Sequence, residues 1–89
     1  MINLIKIEAL KKHELKLTFS DNSWGILDFS YVLDAQTVLT NPLKEKKYFD
    51  SCFIEFGALC WKNGLEFSAE SLYHKLKNQD KLHISQDVA

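Results

Sequence analysis

Residues 14–20, Glu-Leu-Lys-Leu-Thr-Phe-Ser, alternate between polar and apolar side chains without a break. Leu15, Leu17 and Phe19 share one face, and the residues between them, which are polar, share the other. A period of two is typical of a strand with one buried face. This stretch therefore predicts a half-buried β-strand, and the neighbouring segments are interpreted from it.

The segments on either side predict a three-stranded antiparallel meander. Residues 4–10 carry Ile5, Ile7 and Ala9 at one parity, and a short polar connection joins them to the strand at 14–20. Residues 20–23, Ser-Asp-Asn-Ser, are turn formers, and Asn tolerates positive φ. Residues 23–27 then continue as a third strand with alternate side chains on one face.

The second half of the chain predicts a further strand pair, at 51–56 and 58–61, with Gly57 between the strands. Asn63-Gly64 follows, and this dipeptide favours a type I′ turn because both of its residues accept positive φ. Ser68 is placed to cap a helix of about ten residues, since Leu72 and Leu76 belong to an apolar stripe of helical spacing.

Two weaker helical signals lie between the two halves. Asp28 or Ser30 is placed to cap one or two turns of helix, and the charged stretch 43–51 predicts a further turn after the helix-breaking Asn41-Pro42. The predicted fold class is α+β: a small antiparallel sheet, made of the N-terminal meander and the second strand pair, with one short helix and a C-terminal helix. Residues 1–77 form the single predicted domain, and residues 78–89 a flexible C-terminal tail.

Composition limits the classes of function. The chain has 89 residues, 46% of them hydrophobic and 26% charged, which suits one globular domain. No apolar run approaches the roughly 18 residues of a membrane span, and no secretion signal is recognisable, so we expect a cytoplasmic protein. The net charge is -1 and all 11 basic residues are lysine. Direct nucleic-acid binding is therefore disfavoured, because arginine supplies the bidentate contacts.

The titratable residues fit no catalytic or metal-binding motif. Cys52 and Cys60 are too far apart for a Cys-x-x-Cys zinc knuckle, and their apolar neighbours predict two buried thiols. The three histidines lack paired spacing, and three scattered glycines do not make a phosphate-binding loop. The sequence therefore predicts no enzyme, no metal site and no cofactor.

Five residues are weak candidates for binding a partner: Trp24, Trp61, Asn63, Glu66 and Tyr73. Large aromatics with a polar group are favoured both in cores and as anchors of interfaces, and for the two tryptophans the core interpretation carries more weight. The segment from Trp61 to Glu66 combines such an aromatic with a turn and a carboxylate. Its structural interpretation is that the turn requires Asn-Gly and that the carboxylate only precedes a helix.

The order of these motifs resembles a known family. The pattern Leu15-x-Leu-x-Phe-x-Asp21, a short helix after Asp28, and Trp61-x-Asn-Gly-Leu-Glu66 before the last helix are similar to domain of unknown function 2442, a small bacterial family. The resemblance covers about residues 4–76. Asn22 stands where the family usually has glycine, and Ala69 where a proline often opens the last helix.

The resemblance implies a single α+β domain without an established activity, often encoded beside another small protein in the manner of a toxin and antitoxin pair. Our leading hypothesis is a non-catalytic protein-interaction module, the antitoxin-like partner of a small protein encoded nearby, and self-association stays open. One alternative is a small ligand-binding domain or enzyme with a pocket near Trp24 and Trp61. Another is an accessory nucleic-acid contact through Lys44, Lys46 and Lys47.

Overall fold

The computed structural model describes residues 1–84, and residues 85–89 lie outside the described part. Six strands and three α-helices follow one another, with a 3₁₀ turn at Asn41–Lys44. The elements are β1 Leu4–Ala9, β2 Glu14–Phe19, β3 Trp24–Asp28, α1 Ser30–Leu33, α2 Lys46–Phe49, β4 Phe53–Glu55, β5 Ala58–Cys60, β6 Glu66–Phe67 and α3 Ala69–Asn78. The predicted α+β fold class, with antiparallel strands and a C-terminal helix, is confirmed, but the strands form two sheets rather than one.

The first sheet is the predicted meander, in the order β1-β2-β3 with both pairs antiparallel. Leu15, Leu17 and Phe19 have no exposed surface, so the alternation in β2 identified the core face correctly. The turn between β2 and β3 places Asn22 at a φ of +68°, the left-handed conformation that an asparagine tolerates.

The start of β1 differs from the expectation because its register shifts between Leu4 and Lys6. The shift leaves Ile5 as an extra residue, and a bulge of this kind inverts the parity of the strand. Leu4 and Ile7 consequently face the core, whereas Ile5 is exposed. The prediction that Ile5 and Ile7 share a face is wrong for this reason.

The second sheet has three strands rather than the predicted pair, in the order β4-β5-β6. Its third strand, β6, has only two residues, which pair antiparallel with Leu59 and Cys60. A period of two cannot be recognised in two residues, so sequence patterning does not detect this strand.

A single core joins the two sheets and the helices. It includes Leu residues of β2, β3, β5 and α3, together with Phe29, Leu43, Phe49 and Trp61. The short helices supply part of this core, since Val32 of α1 is buried and Phe49 ends α2. The prediction that Asp28 or Ser30 caps α1 is wrong, because Phe29 occupies the N-cap position and no side chain caps the helix; Asp28 accepts a hydrogen bond from the Ser30 N–H at 2.9 Å. No helix in the described part of the chain is long and apolar enough to cross a membrane.

The C-terminal helix follows its sequence signals closely. The Ser68 hydroxyl accepts a hydrogen bond from the Ser71 N–H at 3.1 Å, which satisfies one of the free donors at the helix start. Ala69, Leu72 and Leu76 of the apolar stripe are buried. The stripe therefore holds α3 against the core, with Leu76 beside Gly25 of β3.

The described part of the predicted tail is not flexible coil. Residues 79–84 turn back after α3, and His83 pairs with Trp24 as an antiparallel bridge with N–O distances of 2.9 and 2.7 Å. Leu82 also packs on the core. The remaining residues of the predicted tail, 85–89, lie outside the described residues. A one-residue bridge has no periodic pattern, and its partner is about sixty positions away, so sequence alone does not reveal it.

Gly25 makes this arrangement possible. A Cβ atom at Gly25 would stand 2.7 Å from the Lys81 carbonyl oxygen and 2.9 Å from the side chain of Leu76. Glycine inside a strand often marks such a close approach of another backbone. The absence of a side chain therefore lets α3 and the segment 79–84, which we call the C-terminal clasp, lie directly on β3.

Deleting residues 79–89 should lower the free energy of unfolding by about 2–4 kcal/mol, because two backbone hydrogen bonds and the partly buried Leu82 are lost. Urea unfolding of the full and shortened chains measures the difference. Ile84→Ser, at an exposed side chain within the clasp, is the control and should stay within about 0.5 kcal/mol of the parent. Equal urea midpoints for the full and shortened chains would show that the clasp contributes no stability.

Candidate functional site

Trp61 is a structural residue. Its side chain is 1% exposed, and its indole N–H donates to the Phe49 carbonyl oxygen at 2.9 Å. The rings of Phe29, Phe49 and Phe67 have centroids 5.8–6.3 Å from its own. The core interpretation is therefore correct for Trp61, and this indole offers no surface to a partner.

Trp24 lies elsewhere, half-buried on the solvent side of the meander. The His83 ring stacks on it with centroids 4.2 Å apart, and the Lys16 ammonium lies 4.5 Å from the centre of the indole. The core interpretation is wrong for Trp24, because the inner face of β3 belongs to Gly25 and Leu27. Trp24 thus belongs to the first sheet, whereas Trp61 follows β5 of the second.

Tyr73 connects α3 to the turn after β2. Its hydroxyl donates to the Asp21 carboxylate at 3.0 Å, and its ring meets Phe19 edge-on with centroids 5.3 Å apart. Burial acts to raise the pKa of Asp21, but hydrogen bonds from Ser23 and Tyr73 outweigh it, so that this pKa lies below its ordinary value. Tyr73 thus positions the helix and is remote from Trp61.

Asn63 and Gly64 form a tight turn, as predicted, but not of type I′. Gly64 has a φ of +96°, whereas Asn63 keeps a negative φ. The Gly64 N–H donates to the Trp61 carbonyl and the Trp61 N–H to the Leu65 carbonyl, at 3.0 and 2.9 Å. These bonds enclose a three-residue loop that ends in a left-handed glycine, another common hairpin connection.

The Asn63 side chain explains why this turn forms. Its amide oxygen accepts from the Leu65 N–H at 3.2 Å, and its amide nitrogen donates to the Leu39 carbonyl at 3.1 Å. The second bond fixes the loop that carries Val38, whose side chain is 88% exposed. Asn63 is therefore a positioning residue for two loops.

The type I′ turn lies instead at the tip of the β4–β5 hairpin, where Phe56 and Gly57 have φ values of +50° and +75°. Glu55 and Ala58 form the closing pair, so the loop has two residues. A bulky side chain at positive φ is a true outlier, and the Phe56 side chain is 98% exposed. Candidate selection from the sequence missed this residue, although the unusual Phe-Gly between two strands was a usable signal.

Glu66 lies on the solvent side of the second sheet, in one row with Phe53 and Cys60, because directly paired residues share a face. Glu55, two positions after Phe53, shares this face as well. We call these four residues and Phe56 at the tip the outer face. Together with Lys62 and Leu65 of the neighbouring turn, the four sheet residues line a shallow cleft of about 270 Å³.

The model of the family described as protein of unknown function (DUF2442) matches residues 4–78, most of the chain. The chain belongs to the DUF2442 family. No curated protein and no solved structure matches it.

The two departures of this DUF2442 protein from the family pattern are locally accommodated. Asn22 adopts the positive φ that the usual glycine would take, and Ala69 begins α3 with its methyl group buried. Neither position lies on the outer face.

The thiols of this DUF2442 protein are poor nucleophiles. Burial raises the pKa of the Cys52 thiol to about 11, with a further contribution from Asp50. Burial also raises the pKa of Cys60, and the carboxylates of Glu66 and Glu55 add to the effect. Since the thiolate is the reactive form, both thiols, including Cys60 in the cleft, are weak nucleophiles at neutral pH.

The predicted lysine cluster is partly neutralised. The Lys46 ammonium donates to the Asp50 carboxylate at 2.7 Å and to the Leu10 carbonyl at 2.8 Å, whereas Lys44 and Lys47 are exposed. Within residues 1–84, no group of three or more His, Cys, Asp and Glu side chains is placed to hold a metal ion.

Gly64→Ala should cost about 1–2 kcal/mol of stability through backbone strain alone, because no heavy atom lies within 4 Å of an added Cβ. Chemical unfolding with Lys62→Ala as the exposed control in the same turn measures this. An unchanged midpoint for Gly64→Ala would mean that the turn relaxes to another conformation.

In the folded protein at pH 8, alkylation by iodoacetamide should be slow at both thiols. For Cys52, a pKa of about 11 leaves roughly one molecule in a thousand as thiolate. Mass spectrometry after timed quenching reads the labelling, and the protein unfolded in urea is the control, in which both thiols should react readily. Labelling of native Cys60 at the unfolded rate would contradict the chemistry derived for the cleft.

Proposed function

We propose that this DUF2442 protein is a non-catalytic protein-interaction module of the cytoplasm. Its partner is a small protein encoded beside it, in an antitoxin-like arrangement of the kind that the family resemblance implies. Docking occurs on the outer face, with Phe56 as the anchor.

The conformation and exposure of Phe56 carry this proposal. In an L-residue the left-handed region costs about 1–2 kcal/mol, and asparagine or glycine would avoid most of that cost. A phenylalanine with 98% of its side chain in solvent recovers none of it by packing within the monomer. Local strain without a local benefit is a hallmark of functional positions.

Exposed aromatics of this kind are frequent anchors of protein interfaces, because a rigid ring fills a partner pocket at small entropic cost. Phe53, which is 39% exposed, adds apolar surface to the cleft. The hairpin that carries Phe56 is also held firmly, since the Leu4 N–H donates to the Gly57 carbonyl at 2.9 Å. The anchor is therefore pre-organised for binding.

The remaining candidates support binding over catalysis. Trp61, Asn63 and Tyr73 are occupied by structural contacts, and the raised pKa of Cys60 disfavours a thiolate nucleophile. What the outer face offers is an apolar and carboxylate surface around a shallow cleft, a chemistry suited to a macromolecular partner.

Phe56→Asn provides the test, because Asn-Gly is the preferred dipeptide of a type I′ turn. We expect it to raise the free energy of unfolding by about 0.5–1 kcal/mol and to abolish binding of the adjacent-gene product, co-expressed and measured by calorimetry. Ile26→Ser, at an exposed apolar residue of the meander, is the control and should leave binding unchanged.

Failure of the wild-type protein to bind the adjacent-gene product would contradict the proposed partner. Undiminished binding by Phe56→Asn would contradict the assignment of Phe56 as the anchor, even where a complex forms.

A further inference from the structure

We infer that the outer face binds a segment of a partner protein in which lysine or arginine flanks an apolar residue. This inference rests on the proposed function, because it names the chemistry of the partner at the same docking surface. Nothing in the DUF2442 assignment specifies a ligand class for this surface.

The negative charge of the outer face comes from two carboxylates that form no ion pair within residues 1–84. The ion pairs found within residues 1–84 join Lys6 and Lys16 to Glu8, and Lys46 to Asp50. Glu55 and Glu66 take part in none of them. Both are solvent-exposed and stand on the same side of the second sheet, so they are available to an incoming charge.

Among residues 1–84, the ammonium that lines the cleft is that of Lys62, and it forms no ion pair with either glutamate. The Lys62 ammonium lies 5.7 Å from the centre of the Tyr48 ring, away from an ion pair with either glutamate. The raised pKa of the Cys60 thiol, caused first by burial and then by Glu66 and Glu55, indicates that the fields of both carboxylates converge on the cleft.

The apolar residues of the outer face would contact the apolar residue of the partner segment. The exposed ring of Phe56 directly follows Glu55, and Cys60 on the central strand lies between Phe53 of one edge strand and Glu66 of the other. A cleft of about 270 Å³ has room for one long side chain. A cationic side chain beside an aliphatic one would thus find a carboxylate and an apolar contact at neighbouring points.

The same charges argue against other occupants. A second copy of the chain seated symmetrically on this face would bring Glu55 and Glu66 against the same two residues, and like charges in an interface are repelled. Anionic lipid surfaces and nucleic acids are repelled likewise. A basic protein segment is the occupant that gains from both glutamates.

The probes are two synthetic peptides, Gly-Ser-Lys-Leu-Lys-Ser-Gly and its counterpart with glutamate in place of lysine, titrated into the ¹⁵N-labelled full chain. We expect the lysine peptide to shift the amide resonances of residues 53–58 and 60–66 and to bind at least ten times more tightly than the glutamate peptide. Glu55→Gln and Glu66→Gln should each weaken it about two- to fivefold, the range of an exposed ion pair. Glu70→Gln, at an exposed carboxylate on α3, is the matched control and should have no effect.

Equal binding of the two peptides, shifts confined to other residues, or no saturable binding up to about 10 mM would overturn the inference. Concentration-dependent sedimentation of the wild type that disappears in Phe56→Asn would assign the face to a second copy and would equally overturn it.

The two proposals fail separately. In one outcome, the adjacent-gene product forms a complex that requires Phe56 and is unaffected by Glu55→Gln and Glu66→Gln. That result would support the proposed function and contradict the inference that the partner segment is basic. If the lysine peptide binds and no complex forms with the adjacent-gene product, the proposed partner is wrong. The inference that the outer face binds a basic segment is then still supported.

Discussion

The buried indole of Trp61 is the contact on which the two halves of this small protein depend. A chain of 89 residues is long enough for one hydrophobic core. Within residues 1–84, that core joins two three-stranded sheets whose strands are not paired with each other. Trp61 extends the core face of β5, packs against Phe29 before α1 and Phe67 of β6, and bonds through its N–H to the end of α2. Because the indole nitrogen has this partner, the largest side chain of the core is buried without an unsatisfied donor. The sheets are thereby fixed relative to one another, and the turn that follows Trp61 is fixed with them.

The parts of the fold that sequence patterning identifies are those governed by local periodicity. The alternation in β2 and the stripe and cap of α3 were sufficient to identify both elements and their buried faces. Where the outcome depends on a distant contact, local patterns were insufficient. The bulge at Ile5 reverses the face of β1, and the pairing of His83 with Trp24 needs Gly25 to let a second backbone approach. Neither contact has a signature within a short window of sequence.

The turns show how side-chain hydrogen bonding can override dipeptide preference. Asn63-Gly64 is the strongest type I′ signal in the chain, yet Asn63 keeps a negative φ because its amide bridges Leu65 and Leu39 in that conformation. The type I′ geometry occurs at Phe56-Gly57, which turn propensities do not favour. In both hairpins, the turn propensity of the residue before glycine therefore predicted the wrong backbone conformation. The glycine that follows it correctly indicated a turn in both.

This reversal also explains why the candidate site was only partly recognisable. Of the five residues chosen from the sequence for their chemistry, Glu66 alone belongs to the outer face. Trp61 is buried in the core, Asn63 and Tyr73 are held by hydrogen bonds to Leu39 and Asp21, and Trp24 lies on the first sheet against His83. Phe56 is not among the residues predicted to bind a partner, since an apolar residue in a strand-like segment is expected to be buried. Only the backbone reveals that it stands at the tip of a turn, at a φ of +50° and with its ring exposed. Positive φ at an exposed position is not specific to Phe56, since Lys12, Gln36 and Asp80 adopt it as well. What distinguishes Phe56 is a large apolar ring that the core does not bury.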